Sequence, residues 1–213
     1  MTNTITPVYP STLQADELSR RQVAEMLQTT ARSVEKLTAS GYLPDLRAGR
    51  VLSLARRPFL YTDGVQPVLR QAVAQIDPDG ERDYIGEGAM LTDAQQLDAD
   101  RRWWRCDAEQ VVAAGLLPVT LAGFVVTVLK IIDTETQVRR VIPGRGAQTT
   151  TVEVRYAFSA SIAGRSRALG EPERDYLAPD LSDQERDTVQ VMLGGRSSAR
   201  SGGPFAYLPQ IGA

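Results

Sequence analysis

Along residues 18–60 the apolar side chains return every third or fourth position, and over 151–158 they return at every second one. The first period predicts helices. Ser19 stands ahead of Arg20, Arg21 and Gln22, where its hydroxyl can accept from the open amides of a helix whose Val23, Ala24 and Leu27 share one face. Gln28 and Thr29 interrupt that pattern. Thr30 then caps a second helix over 31–40, in which Val34 and Leu37 lie together and Gly41 supplies the left-handed stop. Beyond Tyr42, Leu43, Pro44 and Leu46, residues 47–50 read as a turn and 51–54 as the returning strand of a small hairpin with Arg47 and Arg50 at its tip. The expected order is helix, tight turn, helix, two-stranded wing.

The second half changes period. Thr92 with Gln95, Asp107 with Gln110 and Ser182 with Glu185 each have the spacing that opens a helix with a reciprocal cap. The second of these helices is expected to stop at Gly115 and the third, through Val189 and Met192, at Gly194. Residues 116–121 and 124–132 are β-rich runs on either side of Ala122 and Gly123. Farther on, Val152, Val154, Tyr156 and Phe158 alternate against Glu153 and Arg155, the pattern of a half-buried antiparallel sheet. Residues 64–76 stay open between a helix carrying Val65, Leu69, Ala72 and Ile76 and an edge strand starting after Pro67. The punctuated stretch 61–67 reads as a domain boundary. The fold class expected is therefore α+β: an N-terminal winged helix-turn-helix over 12–60, a mostly antiparallel β-sheet domain with flanking helices over 65–194, and a flexible tail over 195–213 rich in Gly, Ser and Pro.

Composition narrows the chemistry. The 213 residues carry 24 basic and 26 acidic side chains, a net charge of −2, so no whole-chain excess advertises a polyanionic partner. Charge is divided unevenly: residues 1–60 hold 8 basic and 5 acidic groups, while 61–213 hold 16 and 21. A basic partner-seeking surface is thus expected in the first segment. Histidine is absent and Cys106 is the single cysteine, which argues against zinc, copper or haem ligation and against histidine-based acid–base catalysis. No cofactor and no metal are expected. The first residues lack a cationic start and an apolar core, and the longest apolar run, 116–132, is short and interrupted, so a cytoplasmic protein without a membrane partner is expected.

The residues of 18–60 also carry a family likeness. Ala24, Leu27, Thr29, Thr30, Ser33, Val34, Lys36 and Leu37, followed by Gly41, Tyr42, Leu43 and Pro44 and then by Arg47, Gly49 and Arg50, resemble the winged helix-turn-helix of MerR-type regulators and phage excisionases. The resemblance covers about a fifth of the chain. It implies a double-stranded DNA partner, with the second helix in the major groove and the wing on phosphate or the minor groove. Carried over by position, Thr30, Ala31, Arg32, Ser33 and Lys36 would meet bases or nearby phosphates, and Arg47 and Arg50 would be the wing contacts. Glu35 on the second helix, and Leu52 and Leu54 in the wing, depart from the family's usual polar or basic choices. The implied role is a non-enzymatic regulator of transcription or of site-specific recombination, of repressor or excisionase type, acting as a homodimer or with a second protein.

Other features are weaker. Arg101, Arg102 and Arg105 surround Trp103 and Trp104, an arrangement that suits stacking on bases, or one or both rings anchoring the sheet core while the arginines cover its rim. Arg139, Arg140 and Arg145 bracket a glycine-rich loop that could enter a minor groove, and with the first three they form a candidate second contact. Arg196 and Arg200 could add nonspecific phosphate attraction. Residues 103–132 faintly resemble small barrel domains of the PUA type. Two rival readings are an adaptor whose helices dock protein, and a Mg²⁺ nuclease using Asp133, Glu135 and Glu153.

Overall fold

A computed structural model describes residues 17–143, 150–198 and 203–212. The chain opens with α1 (Arg20–Met26), α2 (Ala31–Ala39) and α3 (Ala48–Ala55), then β1 (Pro67–Gln71) and the small pair β2 (Gln75–Ile76) and β3 (Tyr84–Ile85). Next come α4 (Asp93–Asp100), β4 (Arg102–Trp104), α5 (Ala108–Ala114), β5 (Leu116–Leu121), and the long strands β6 (Phe124–Pro143) and β7 (Thr150–Arg165). A 3-10 turn at Pro172–Arg174, β8 (Tyr176–Leu177), α6 (Asp183–Met192) and β9 (Phe205–Tyr207) complete the described chain. The main sheet runs β4-β7-β6-β5-β1-β9, with β8 also on β7. Every pairing is antiparallel except β1 with β5, so the sheet is mixed within an α+β fold. Among the described residues no helix is long and apolar enough to cross a membrane.

The helix starts follow the caps. Ser19, Thr92 and Ser182 each form a reciprocal capping box, and Thr30 and Asp107 accept from the amides three residues on. The β5–β6 hairpin turns at Ala122 and Gly123, both at positive φ, which matches the strand twist.

Three expectations differ from the structure. Residues 48–55 are a helix instead of the return of a wing. Val51 and Leu54, three apart, share one helical face and are fully buried, whereas a strand would send residues three apart to opposite sides. The described residues of the C-terminal segment are likewise no loose tail: β9 pairs with β1, and the Leu208 and Ile211 amides donate to the Gln66 and Thr62 carbonyls. Its Ala206 and Leu208 are buried, so two small apolar anchors outweigh the surrounding Gly and Pro. Residues 67–71, for which the sequence allows a helix or an edge strand, form a strand, and β9 covers it, so β1 is internal to the sheet.

The helices share their core with the sheet. Val23, Leu27, Val34, Leu37, Tyr42, Val51 and Leu54 pack in one cluster with Leu121, Phe124, Val126 and Leu169. The neighbours Val125 and Val128 point to the other side, where Val189, Met192 and Leu193 close over them. A third cluster gathers Val111, Leu117, Leu129 and Phe158, with Trp104 against it.

Candidate nucleic-acid interface

The shape of the helix pair follows from its capping and its buried stripe. In α1 the Gln22 amide donates to the Ser19 hydroxyl (3.3 Å), and the Ser19 amide donates back to the Gln22 side chain (2.9 Å). Residues 27–30 then turn the chain, with Gln28 at φ +50°. In α2 the Ser33 amide donates to the Thr30 hydroxyl (3.1 Å). Burying Val34 and Leu37 fixes the rotation of α2 and sends Arg32, Glu35 and Lys36 away from the core. Thr30, Ala31 and Arg32 are exposed, and Ser33 and Lys36 are half-buried. Arg32 and Lys36 form no ion pair among the described residues.

Arg196 ties the end of α1 to the end of α3. Its guanidinium donates to the Arg57 (3.3 Å), Leu27 (3.3 Å) and Ala55 (3.2 Å) carbonyls and stacks 4.0 Å above the Phe59 ring. It thereby satisfies carbonyls at the ends of both α1 and α3. Arg196 is thus a structural clamp instead of the loose phosphate contact expected of a tail, while Arg200 lies outside the described residues.

Arg47 and Arg50 part company. The Arg47 side chain is 68% exposed and bonds Asp45 at 2.8 Å. Arg50, only 8% exposed, bonds Asp45 at 3.0 Å and Glu171 at 2.7 Å, so it faces the protein interior and is no wing contact. The Arg50 hydrogen bond, supported by Arg47, holds the Asp45 carboxyl well below the usual carboxylate range. The physical reason is the helical α3, which turns Arg50 toward Glu171 and leaves Arg47 at its N-cap.

The second group of arginines is largely neutralised. Arg101 bonds Asp98 (3.4 Å) and Glu135, Arg102 bonds Asp98 (2.6 Å), Arg105 bonds Glu153 (2.8 Å), and Arg140 bonds Asp79 (3.6 Å) and Glu81. Arg139 is exposed and forms no ion pair among the described residues, and Arg145 lies outside them. Trp104 donates its ring N–H to the Asp100 carbonyl (2.5 Å) and packs at 6.3 Å from Phe205, which makes it a core anchor. The acidic trio is dispersed: Asp133 lies opposite Ser159 and Glu153 opposite Arg140, positions separated by roughly 20 Å of strand. Among the described residues no group of three acidic or cysteine side chains is placed to hold a metal ion.

A polar network lies under the helices. Tyr42 donates to Glu87 (2.6 Å), Gln71 (2.9 Å) and Gln96 (3.0 Å) donate to Asp100, and Arg165 donates to the Gly88 carbonyl (2.8 Å) and to Asp93 (2.7 Å). Burial first, and then the Asp100 charge, pushes Glu87 up, and burial likewise raises Asp100. Glu87, Asp100 and Arg165 are fully enclosed, so no substrate reaches them, and their task is to tie β1, α4 and β7 to the loop after α2.

No family model, curated protein or solved structure matches the chain. The surface of α2 therefore speaks through its own chemistry. Among the described residues its two cations, Arg32 and Lys36, form no ion pair, and neither does exposed Arg20 at the start of α1. Beside α2 a polar cleft of about 530 Å³ runs to Arg70 on β1. Arg70 follows α2 by some thirty residues and belongs to no motif, so only the parallel β1–β5 pairing brings it to this place.

Proposed function

We propose that the chain binds double-stranded DNA, with α2 as the reading helix, and that it acts in control of transcription or of site-specific recombination. The observation that carries this is the display of Arg32 and Lys36, free of counter-ions among the described residues, on the outer face of a capped helix held by a short turn. A helix about 10–12 Å across suits a major groove of about 12 Å. In that pose Arg32 is a donor for guanine or phosphate, Glu35 accepts from a cytosine amino group, and Thr30, Ala31 and Ser33 approach the strand at the helix start. Arg20 takes a phosphate as α1 crosses the backbone. The winged form of the motif is replaced by helix–turn–helix plus α3, with Arg47 as the flanking cation. Because one such module buries only about 600–1,000 Å², useful specificity requires a second copy or a second surface.

The direct test is a mobility shift on mixed genomic fragments. Arg32→Ala with Lys36→Ala is expected to weaken retention more than about tenfold and to flatten the salt dependence by about one unit for each phosphate no longer neutralised. Melting should be unchanged, since neither side chain is in the core. Equal affinity in the double variant would contradict the assignment. If the native chain retains no fragment at low salt, the helices serve protein docking instead.

A further inference from the structure

We infer that the cleft between α2 and β1 is a binding site for a phosphoryl group. Its walls come from elements distant in sequence: Ser33 and Lys36 from α2, Arg70 and Gln71 from β1, and Thr120 with Gly123 from β5 and its turn. Among the described residues no carboxylate lines it. One cation enters from the helix and another from the strand, which is the charge a phosphate dianion requires from more than one side. At about 530 Å³ the space holds a phosphoryl group together with the sugar or chain that carries it. The floor is rigid, because the Gln71 amide is fixed on Asp100 (2.9 Å) and the Thr120 hydroxyl on the Leu69 carbonyl (3.4 Å). The lining is polar, in contrast to the groove bounded by Leu60, Tyr61, Val191 and Met192 at the α6 end, where Asp63 and Asp187 would repel an anion.

The site stands on its own geometry, and the DNA reading is not needed for it. Two sources share the chemistry: a free phosphorylated small molecule, or a backbone phosphate of a duplex whose groove holds α2. In the second case Arg70 grips the strand that flanks the helix. In the first, an occupant beside Lys36 competes with DNA.

Amide chemical shifts of Ser33, Lys36, Thr120 and Gly123 are followed at constant ionic strength with inorganic phosphate, with a nucleoside monophosphate and with a short duplex. Phosphate is expected to move these amides in a saturable manner. Arg70→Gln is expected to weaken its affinity by about tenfold, with recovery in Arg70→Lys. If the monophosphate binds more tightly than phosphate and displaces the duplex, the source is a free ligand. If only the duplex improves on phosphate, the source is the nucleic-acid backbone. Absence of saturable shifts with phosphate, or equal affinity in Arg70→Gln with an unchanged amide spectrum elsewhere, overturns the inference. Phosphate binding without duplex binding keeps the cleft and removes the DNA reading.

Discussion

Glu87 and Asp100 are enclosed together with the guanidinium of Arg165 as the nearby positive charge. Because burial raises both carboxyls, the folded chain keeps a proton that the unfolded chain releases once pH rises above about 4. Their contribution to stability therefore falls with rising pH. Asp45, held low by Arg50, and Glu171, held low by Arg174 and then Arg50, act in the opposite direction, losing stability as pH falls. Asp100→Asn removes only the first effect. Its melting temperature relative to the native chain is expected to improve as pH rises from about 4 to 7, and parallel curves would contradict this. Arg50 offers a second check at this scale. Arg50→Ala leaves the Asp45 and Glu171 carboxylates without their inner partner, so it is expected to lower stability by about 2 kcal/mol in denaturant titration. Arg32→Ala, at an exposed site, is expected to change stability by less than about 0.5 kcal/mol.

At the scale of elements, α3 and β7 each carry a glycine, with opposite expectations. Gly49 lies within α3 with nothing within 4 Å of an added Cβ, so Gly49→Ala should raise stability by about 0.5–1 kcal/mol through helix propensity. A Cβ on Gly164 of β7 would meet Val189 Cγ1 at 2.4 Å and Leu193 Cδ1 at 3.0 Å, so Gly164→Ala should cost about 1–3 kcal/mol by forcing α6 off the sheet. Thermal melting of both variants, compared side by side, decides it. Helix starts and the β5–β6 hairpin are legible in the sequence because caps and turns act within three or four residues. The run Val51 to Leu54 is not, since four apolar-rich residues fit either period until Leu169 and Phe124 supply the surface they bury against. Arg196 is equally opaque: its three carbonyl partners belong to segments more than a hundred residues earlier. Arg32 and Lys36 could be picked out because position on a capped helix is a local property, whereas Arg70 joins them only through strand pairing.

For the molecule as a whole, the helices and the sheet share one apolar cluster, and Leu121, Phe124, Val126 and Leu169 cover the inner side of α1 to α3. Buried Tyr42 adds a polar link to Glu87 from the same side. Unfolding is therefore expected to be a single transition, with near-ultraviolet and far-ultraviolet dichroism coincident, whereas a separate early loss of helix would show that the N-terminal segment is an autonomous unit. That shared base leaves the outer face of α2 as the surface on which function rests. Selection of bound oligonucleotides from a random duplex pool tests it most directly. The native chain is expected to enrich a common sequence that Arg32→Ala with Lys36→Ala fails to enrich. An unenriched pool from the native chain, or the same motif recovered by the double variant, would contradict a DNA-reading role for α2.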